Sequence, residues 1–339
     1  MIGWLKNLND ASRAISINEA SRISGISAKA IEKDWWVTLS LKLVFNTPYA
    51  RHFAFKGGTS LSKGWQFIDR FSEDIDIALS SEAVGIAHAE KPSKTFVEHL
   101  RRAGCSFTSN ELMEALKAEF RNIQVPENLY SIEAETVRAD MPDTDPQTLY
   151  VNFISLFDPN PYLPDRVKIE FSVRSLKEPS IKRSMRSLLV THFPNENYIE
   201  ENFEVLTIQP NRTLIEKILL LHEEYNRDER VKMRTERMSR HYYDLFQLSR
   251  QDFSSDTLKD NDFIEEIIEH RKYYTRLKRF DYSTLRRGSI GIIPGADILK
   301  ALELDYAIMR AEMIYGNPPT FEEIIQSMKN LQDEINREV

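Results

Sequence analysis

From Phe71 to Leu79 the apolar positions Phe71, Ile75, Ile77 and Leu79 are separated by polar ones, the alternation of a half-buried strand with one polar face. A second alternation runs through Val167, Ile169, Phe171 and Val173, interleaved with Lys168, Glu170 and Ser172. Elsewhere the period lengthens. Ile31, Trp35, Leu39 and Leu43 recur every fourth residue and predict one stripe of a helix within a helical stretch over 15–46, with Asn18 as a candidate cap. His52–Phe55 reads as a short strand, 92–124 as helix, and Leu129–Val137 with Thr148–Phe157 as an antiparallel pair. Their connection, 140–146, is rich in Asp and Pro, and Asp158–Pro161 is a second loop before 166–174 returns to the sheet. Beyond about 205 the pattern predicts helix throughout, ending in a tail helix near 320–336. The expectation is an α+β chain: a helical segment over 1–47, a core over 48–204 and a helical domain over 205–339.

Two of these elements carry chemistry. His52–Phe55 leads into Lys56-Gly57-Gly58-Thr59-Ser60-Leu61-Ser62-Lys63, a small-residue turn able to bring backbone N–H groups against a phosphate. Just downstream lie Asp74 and Asp76, whose i, i+2 spacing puts both carboxylates on one strand face and Ile75 and Ile77 on the other. Converging carboxylates repel unless a cation lies between them, and hard ions such as Mg²⁺ or Mn²⁺ take oxygen ligands completed by phosphate and water. A solvated edge-strand face would show the same Asp-x-Asp, so the weight comes from the order of strand, turn, short helix and acid-bearing strand. The G-x-x-x-x-G-K-[ST] spacing of a P-loop and the dinucleotide fingerprint are both absent. Glu170 is the candidate third carboxylate, although Lys168 and Glu170 could equally form an ion pair on a solvated sheet face.

Bulk properties narrow the setting. With 41% apolar and 29% charged residues the composition is that of a globular protein, and no apolar run is long enough to span a bilayer. The first twenty residues mix Lys6, Asp10, Arg13 and Glu19 and show no secretory apolar region. The lone Cys105 fits a reducing cytoplasm, where the protein is expected to act. A net charge of −7 argues against a general nucleic-acid coat. Two local basic stretches remain, 227–240 and 271–287. The second interleaves Lys272, Arg276, Lys278, Arg279 and Arg286 with Tyr273, Tyr274, Phe280 and Tyr282, a mixture suited to flexible nucleic acid or to a solvated helix face. In the helical half, Lys217 interrupts the apolar stripe of Leu214 and Leu221 and must snorkel, pair or reach into a cleft, and Asp244 follows Arg240 at ion-pairing spacing.

Phe55–Lys63 and Arg70-Phe71-Ser72-Glu73-Asp74-Ile75-Asp76 together resemble the AbiEii/AbiGii-type nucleotidyltransferases, toxins of bacterial abortive-infection and toxin–antitoxin systems within the polymerase-β-like superfamily. Ile31–Trp36 resembles that family's amino-terminal helix, and Val167–Glu170 its second motif. Leu214–Leu221 and Arg240–Leu245 resemble its third and fourth motifs, and Leu304–Tyr306 through Glu323 its carboxy-terminal part. The resemblance spans roughly 25–335. It implies a polymerase-β-like core over 48–204 followed by a helical domain, and a phage-defence toxin that moves an NMP from an NTP to RNA, with the tRNA 3′ end the expected acceptor. By the same resemblance Asp74, Asp76 and Glu170 hold Mg²⁺ or Mn²⁺, and Gly57, Gly58, Thr59, Ser60, Lys63 and Lys168 bind the nucleotide, with Arg174 a lesser phosphate candidate. Lys217 neutralises the triphosphate, and Asp244 orients that lysine or acts as a base. A cognate antitoxin is the implied partner, and no membrane is involved. Two other readings stay open: a nucleotide-binding regulatory module without turnover, and transfer to a protein or small molecule.

Overall fold

The computed structural model describes every residue except Met1, 138–140, Pro142, Asp143, Ile199, Glu229, Glu338 and Val339, so the 140–146 turn lies partly outside the described residues. The chain divides into two compact units. The first comprises Met1–Trp65, Phe71–Ala89 and Lys94–Ile208; the second comprises Gln66–Arg70, Glu90–Ser93 and Gln209–Val339.

Seven strands form the sheet of the first unit: β1 (Phe53–Lys56), β2 (Asp74–Leu79), β3 (Tyr130–Ala134), β4 (Gln147–Phe153), β5 (Arg166–Ser172), β6 (Ser180–Met185) and β7 (Phe203–Ile208). Their order is β3-β4-β5-β2-β1-β7-β6. The β2–β5 and β1–β7 pairings are parallel and the others antiparallel, so the sheet is mixed and the fold is α+β. Two strands escape the sequence pattern. β6 is an edge strand that is largely polar and solvent-reached, without an apolar face, and β7 extends to Ile208, inside the region expected to be wholly helical. β7 does alternate, burying Val205 and Thr207, but it lies at the sequence border between sheet and helices.

Helices α1 (Gly3–Asn7), α2 (Asp10–Ser24), α3 (Ala28–Val44), α4 (Gly57–Ser60), α5 (Lys94–Phe107), α6 (Met113–Asn122) and α7 (Leu188–His192) complete the unit. Asn18 is interior to α2; the cap is Asn9, whose side chain accepts from the Ser12 N–H at 2.9 Å. The predicted stripe on α3 is too narrow, because 15 of its 17 residues are buried. Trp36 stacks on Phe153 with ring centroids 5.1 Å apart and lies edge-on to Trp35 at 5.2 Å, which in turn meets Trp4 at 4.8 Å. Phe120 of α6 stacks on Tyr130 at 4.7 Å, and Gly104 of α5 presses against Val173. These contacts all fall on the sheet face of Ile75, Ile77, Ile169, Phe171, Leu149 and Val151, where the core of the unit lies.

The second unit is built from α8 (Pro210–Tyr225), α9 (Ser239–Ser249), α10 (Phe253–Lys259), α11 (Asn261–Tyr274), α12 (Ala296–Glu312) and α13 (Phe321–Asn336). α9 is its centre and packs on α8, α12 and α13. The start of α9 is capped from a distance: the Asp305 carboxylate of α12 accepts from the N–H groups of Arg237 (2.6 Å) and Ser239 (2.9 Å). α13 opens on a capping box, with the Glu323 N–H donating to Thr320 Oγ1 at 3.2 Å and the Thr320 N–H donating back to Glu323 at 2.7 Å. Among the described residues no helix is long and apolar enough to cross a membrane.

Candidate functional site

The glycine turn lies directly against an acid of the sheet. β1 ends at Lys56, and Gly57 enters α4 with φ +78°, a left-handed conformation that L side chains rarely adopt. A Cβ built on Gly57 would lie 2.0 Å from Asp76 Oδ2, so the backbone there closes on the carboxylate and no larger residue fits. The Thr59 hydroxyl donates to the Asp74 carbonyl and lies 2.9 Å from the Ser72 hydroxyl, while Ser60 Oγ donates to the Gly57 carbonyl at 2.8 Å. The Thr59 hydroxyl therefore holds the turn to β2, and the Ser60 hydroxyl closes the turn on itself. The first N–H groups of α4 have no intrahelical acceptor.

Register places the predicted acids on one face. In the parallel β2–β5 pair Asp74 is level with Lys168 and Asp76 with Glu170, and on the other side Lys56 is level with Asp76. Asp74, Asp76, Lys168 and Glu170 are all half-buried, while the intervening Ile75, Ile77 and Ile169 are fully buried on the opposite face. Lys168 Nζ bonds Glu170 at 2.9 Å. Burial lowers the Lys168 pKa, but Glu170 first, then Asp74 and Tyr150, outweigh it and the net shift is upward. Among the described residues no three His, Cys, Asp or Glu side chains stand where they could hold a metal ion together. The donor set is nonetheless all oxygen: Asp74 and Asp76 present carboxylates suited to a hard divalent cation, and Glu170 adjoins them with its charge met by Lys168.

Two predicted phosphate contacts are otherwise engaged. Lys63 Nζ pairs with Asp34 of α3, both side chains being buried, and Arg174 Nε bonds Asp145 at 2.6 Å. The first pair exposes a feature that sequence reasoning passed over. The three adjacent charges Glu32-Lys33-Asp34 sit inside the most deeply buried helix of the unit. Glu32 accepts from the Leu156 N–H at 2.9 Å. Lys33 pairs with Glu73, the residue before Asp74, and donates to the Pro164 carbonyl at 2.9 Å. Asp34 takes Lys63 and the Leu188 N–H at 2.6 Å. α3 thus holds both the end of the glycine-turn segment and the entrance to β2. A run of three charges amid Ile31, Trp35 and Trp36 was the available signal, since buried charges are costly unless paired.

Lys217 and Asp244 meet within the second unit. Asp244 is fully buried, and its two oxygens accept from Arg70 Nε (2.7 Å), Arg70 Nη2 (2.9 Å) and Lys217 Nζ (2.9 Å). Burial alone would raise the Asp244 pKa; the Arg70 and Lys217 charges overwhelm it and hold the carboxyl far below its ordinary range. Lys217 is shifted down by burial and by the Arg70 and Arg240 charges, against the pull of Asp244. His241 Nδ1 lies 3.3 Å from Lys217 Nζ, and burial together with the Lys217 and Arg240 charges pushes its pKa well below the ordinary value. An ammonium can only donate, so that ring nitrogen is the acceptor and the imidazole is neutral. Of the three fates open to Lys217, the structure gives pairing.

The basic stretches are largely spent on structure. Arg230 pairs with Asp228 and Arg234 with Glu224. Arg271 pairs with Glu223, Arg276 donates to the Pro92 carbonyl, Arg287 to the Leu258 carbonyl, and Tyr274 is buried.

A mixed sheet whose polar face carries paired acids beneath a glycine turn defines a nucleotidyltransferase-type core. Comparison with known families agrees: the profile of the nucleotidyl transferase AbiEii toxins of type IV toxin–antitoxin systems matches residues 42–327, and the chain belongs to that family. No curated protein and no solved structure matches it.

Proposed function

We propose that the protein is a Mg²⁺-dependent toxin that transfers a nucleoside monophosphate from an NTP to RNA, with the tRNA 3′ end as acceptor, and so arrests translation in the cytoplasm until a cognate antitoxin restrains it. The observation that carries this reading is the acid face itself, with Asp74, Asp76 and Glu170 in adjacent register and the Gly57 backbone closed against Asp76. Asp74 and Asp76, joined by Glu170, would hold the metal, which when bound screens phosphate charge and activates the attacking oxygen. The α4 backbone N–H groups grip the phosphate tail. The acceptor hydroxyl oxygen bonds to the α-phosphorus as the bridging bond to the β-phosphate breaks. Pyrophosphate leaves, and the hydroxyl proton passes to a carboxylate of the face. Asp244, held by the Arg70 and Lys217 charges as a carboxylate, acts by orienting the lysine. The test is to incubate the protein with each radiolabelled NTP, Mg²⁺ and total RNA. Labelled RNA is expected from the native chain and none from Asp76→Ala; equal labelling by that variant would refute the reading.

A further inference from the structure

The sheet of the first unit is covered on one face by α3, α5 and α6, and the acids lie on the other. Reading across that second face, Asp74 on β2 is level with Lys168 on β5, Lys168 with Tyr150 on β4, and Tyr150 with Glu133 on β3, whose carboxylate takes the Asn152 amide at 3.0 Å. Above Tyr150 the Arg166 guanidinium stacks on the ring at 4.6 Å from its centroid. The Lys168 side chain is 37% exposed, Tyr150 is half-buried and Arg166 is exposed. Two strand spacings separate Tyr150 from Asp74, roughly 10 Å. Gly57 closes on the acids from the β1 side. The acids therefore stand between a phosphate-gripping turn on one side and a lysine followed by a ring–guanidinium pair on the other.

In-line displacement at phosphorus requires the attacking hydroxyl and the departing pyrophosphate on opposite sides of the reacting atom. With the phosphate tail at the β1 turn, the acceptor must approach from β5 and β4. Aromatic rings and guanidinium planes are the surfaces on which unstacked RNA bases settle. We propose that Tyr150 and Arg166 form a stacking shelf for a base at the 3′ end of a single-stranded RNA acceptor, with Lys168 meeting the backbone phosphate between shelf and acids. This rests on the nucleotidyl-transfer reading and adds to it the side from which the acceptor enters and the form it takes there.

The test uses the full chain and a fluorescein-labelled single-stranded oligoribonucleotide with a free 3′-hydroxyl, binding being followed by anisotropy without NTP and transfer being followed with labelled NTP. Tyr150→Ala is expected to weaken RNA binding about tenfold and to raise the KM for RNA by a like factor while the KM for NTP stays within twofold. Tyr150→Phe, which keeps the ring, is expected to restore binding, and Arg166→Gln to lose a smaller factor. Unchanged RNA affinity in Tyr150→Ala overturns the shelf, as does a loss that falls on the NTP instead, or a native chain that binds no RNA. If the native chain binds RNA through Tyr150 but labels another macromolecule, the acceptor reading fails while the shelf stands. If it labels RNA and Tyr150 is indifferent, the reverse holds.

Discussion

The acid face of the first unit and the Arg70–Asp244–Lys217 cluster of the second treat charge in opposite ways. On the sheet, Asp74, Asp76, Lys168 and Glu170 stay within reach of solvent. In the helical unit, Asp244 is buried without remainder, and its oxygens accept from three donors on two cations. A half-exposed charge contributes little to stability and remains able to exchange its partner for a ligand. A sealed one can exchange nothing and must be complete, because removing one member leaves the others uncompensated. Removing a charge from the sheet should therefore damage activity and spare the fold. Removing one from the cluster should damage the fold first.

The sharpest way to break this contrast is Asp76→Ala. Transfer is expected to fall about 1000-fold or more, because the variant loses a carboxylate of the reacting centre. Its thermal midpoint should stay within a few degrees of the native value, since the deletion also removes a repulsion between neighbouring acids. A variant that unfolds, or one that keeps its activity, would place Asp76 among structural residues.

Asp244→Asn is next. The amide keeps the shape but leaves Arg70 and Lys217 without a counter-charge, and about 3–5 kcal/mol of unfolding free energy should be lost in urea titration. The sign of the pH dependence follows from the depressed pKa. The contribution of Asp244 is complete above its unfolded value, near pH 4, and is lost as acidification protonates the carboxyl. The variant should therefore differ most from the native chain at neutral pH.

Glu200 sharpens the comparison from within the first unit, because it is a mostly buried carboxyl that accepts from a neutral donor, the Trp35 indole N–H at 3.2 Å. It lines a cleft with Trp35, Lys42, Arg186 and Phe203. Burial pushes its pKa up to about 7, against smaller lowering effects from Trp35 and Lys42. Stability from this group is fully present below about pH 4.5, where both folded and unfolded states are protonated, and is lost as pH rises through 7. Glu200→Gln should then be about 2 kcal/mol more stable than the native chain at pH 8 and no more stable at pH 4. A constant difference across that range would mean that Glu200 ionises normally.

Legibility in the sequence followed the same division. The acid face was readable because a strand with one wet side advertises itself by alternation, and Asp74, Asp76, Lys168 and Glu170 fall where the pattern of Ile75, Ile77 and Ile169 puts them. Lys217 was visible as a charge in an apolar stripe, but Arg70, which shares the Asp244 carboxylate with it, lies 174 positions before that aspartate and no local pattern links the two. The charges of α3 were hidden for a related reason. Glu32, Lys33 and Asp34 make sense only through loops that tertiary folding brings to them, and periodicity reads faces, not partners. β6 failed as a strand because its residues are largely solvent-reached, so it has no apolar period.

The smallest effect expected is also the most economical check, because it pairs one substitution across the two regions. Lys168→Met and Lys217→Met each delete an ammonium that lies 2.9 Å from a carboxylate oxygen. Distance alone predicts equal losses; burial does not. Lys168 pairs with Glu170 across a partly solvated surface, where such pairs are worth about 0–1 kcal/mol, and its loss should be nearly silent in urea titration. Lys217 lies beside a sealed carboxylate that still holds Arg70, so its loss should cost about 3 kcal/mol or more. Transfer kinetics then separate the roles a second time. Lys168→Met should raise the KM for RNA with the fold intact, whereas any activity lost in Lys217→Met is compounded with instability, so it is to be measured at a temperature where circular dichroism still reports a folded chain. Equal destabilisation by the two substitutions would mean that the sheet face is closed in solution, and the division between exchangeable and sealed charge would fall with it.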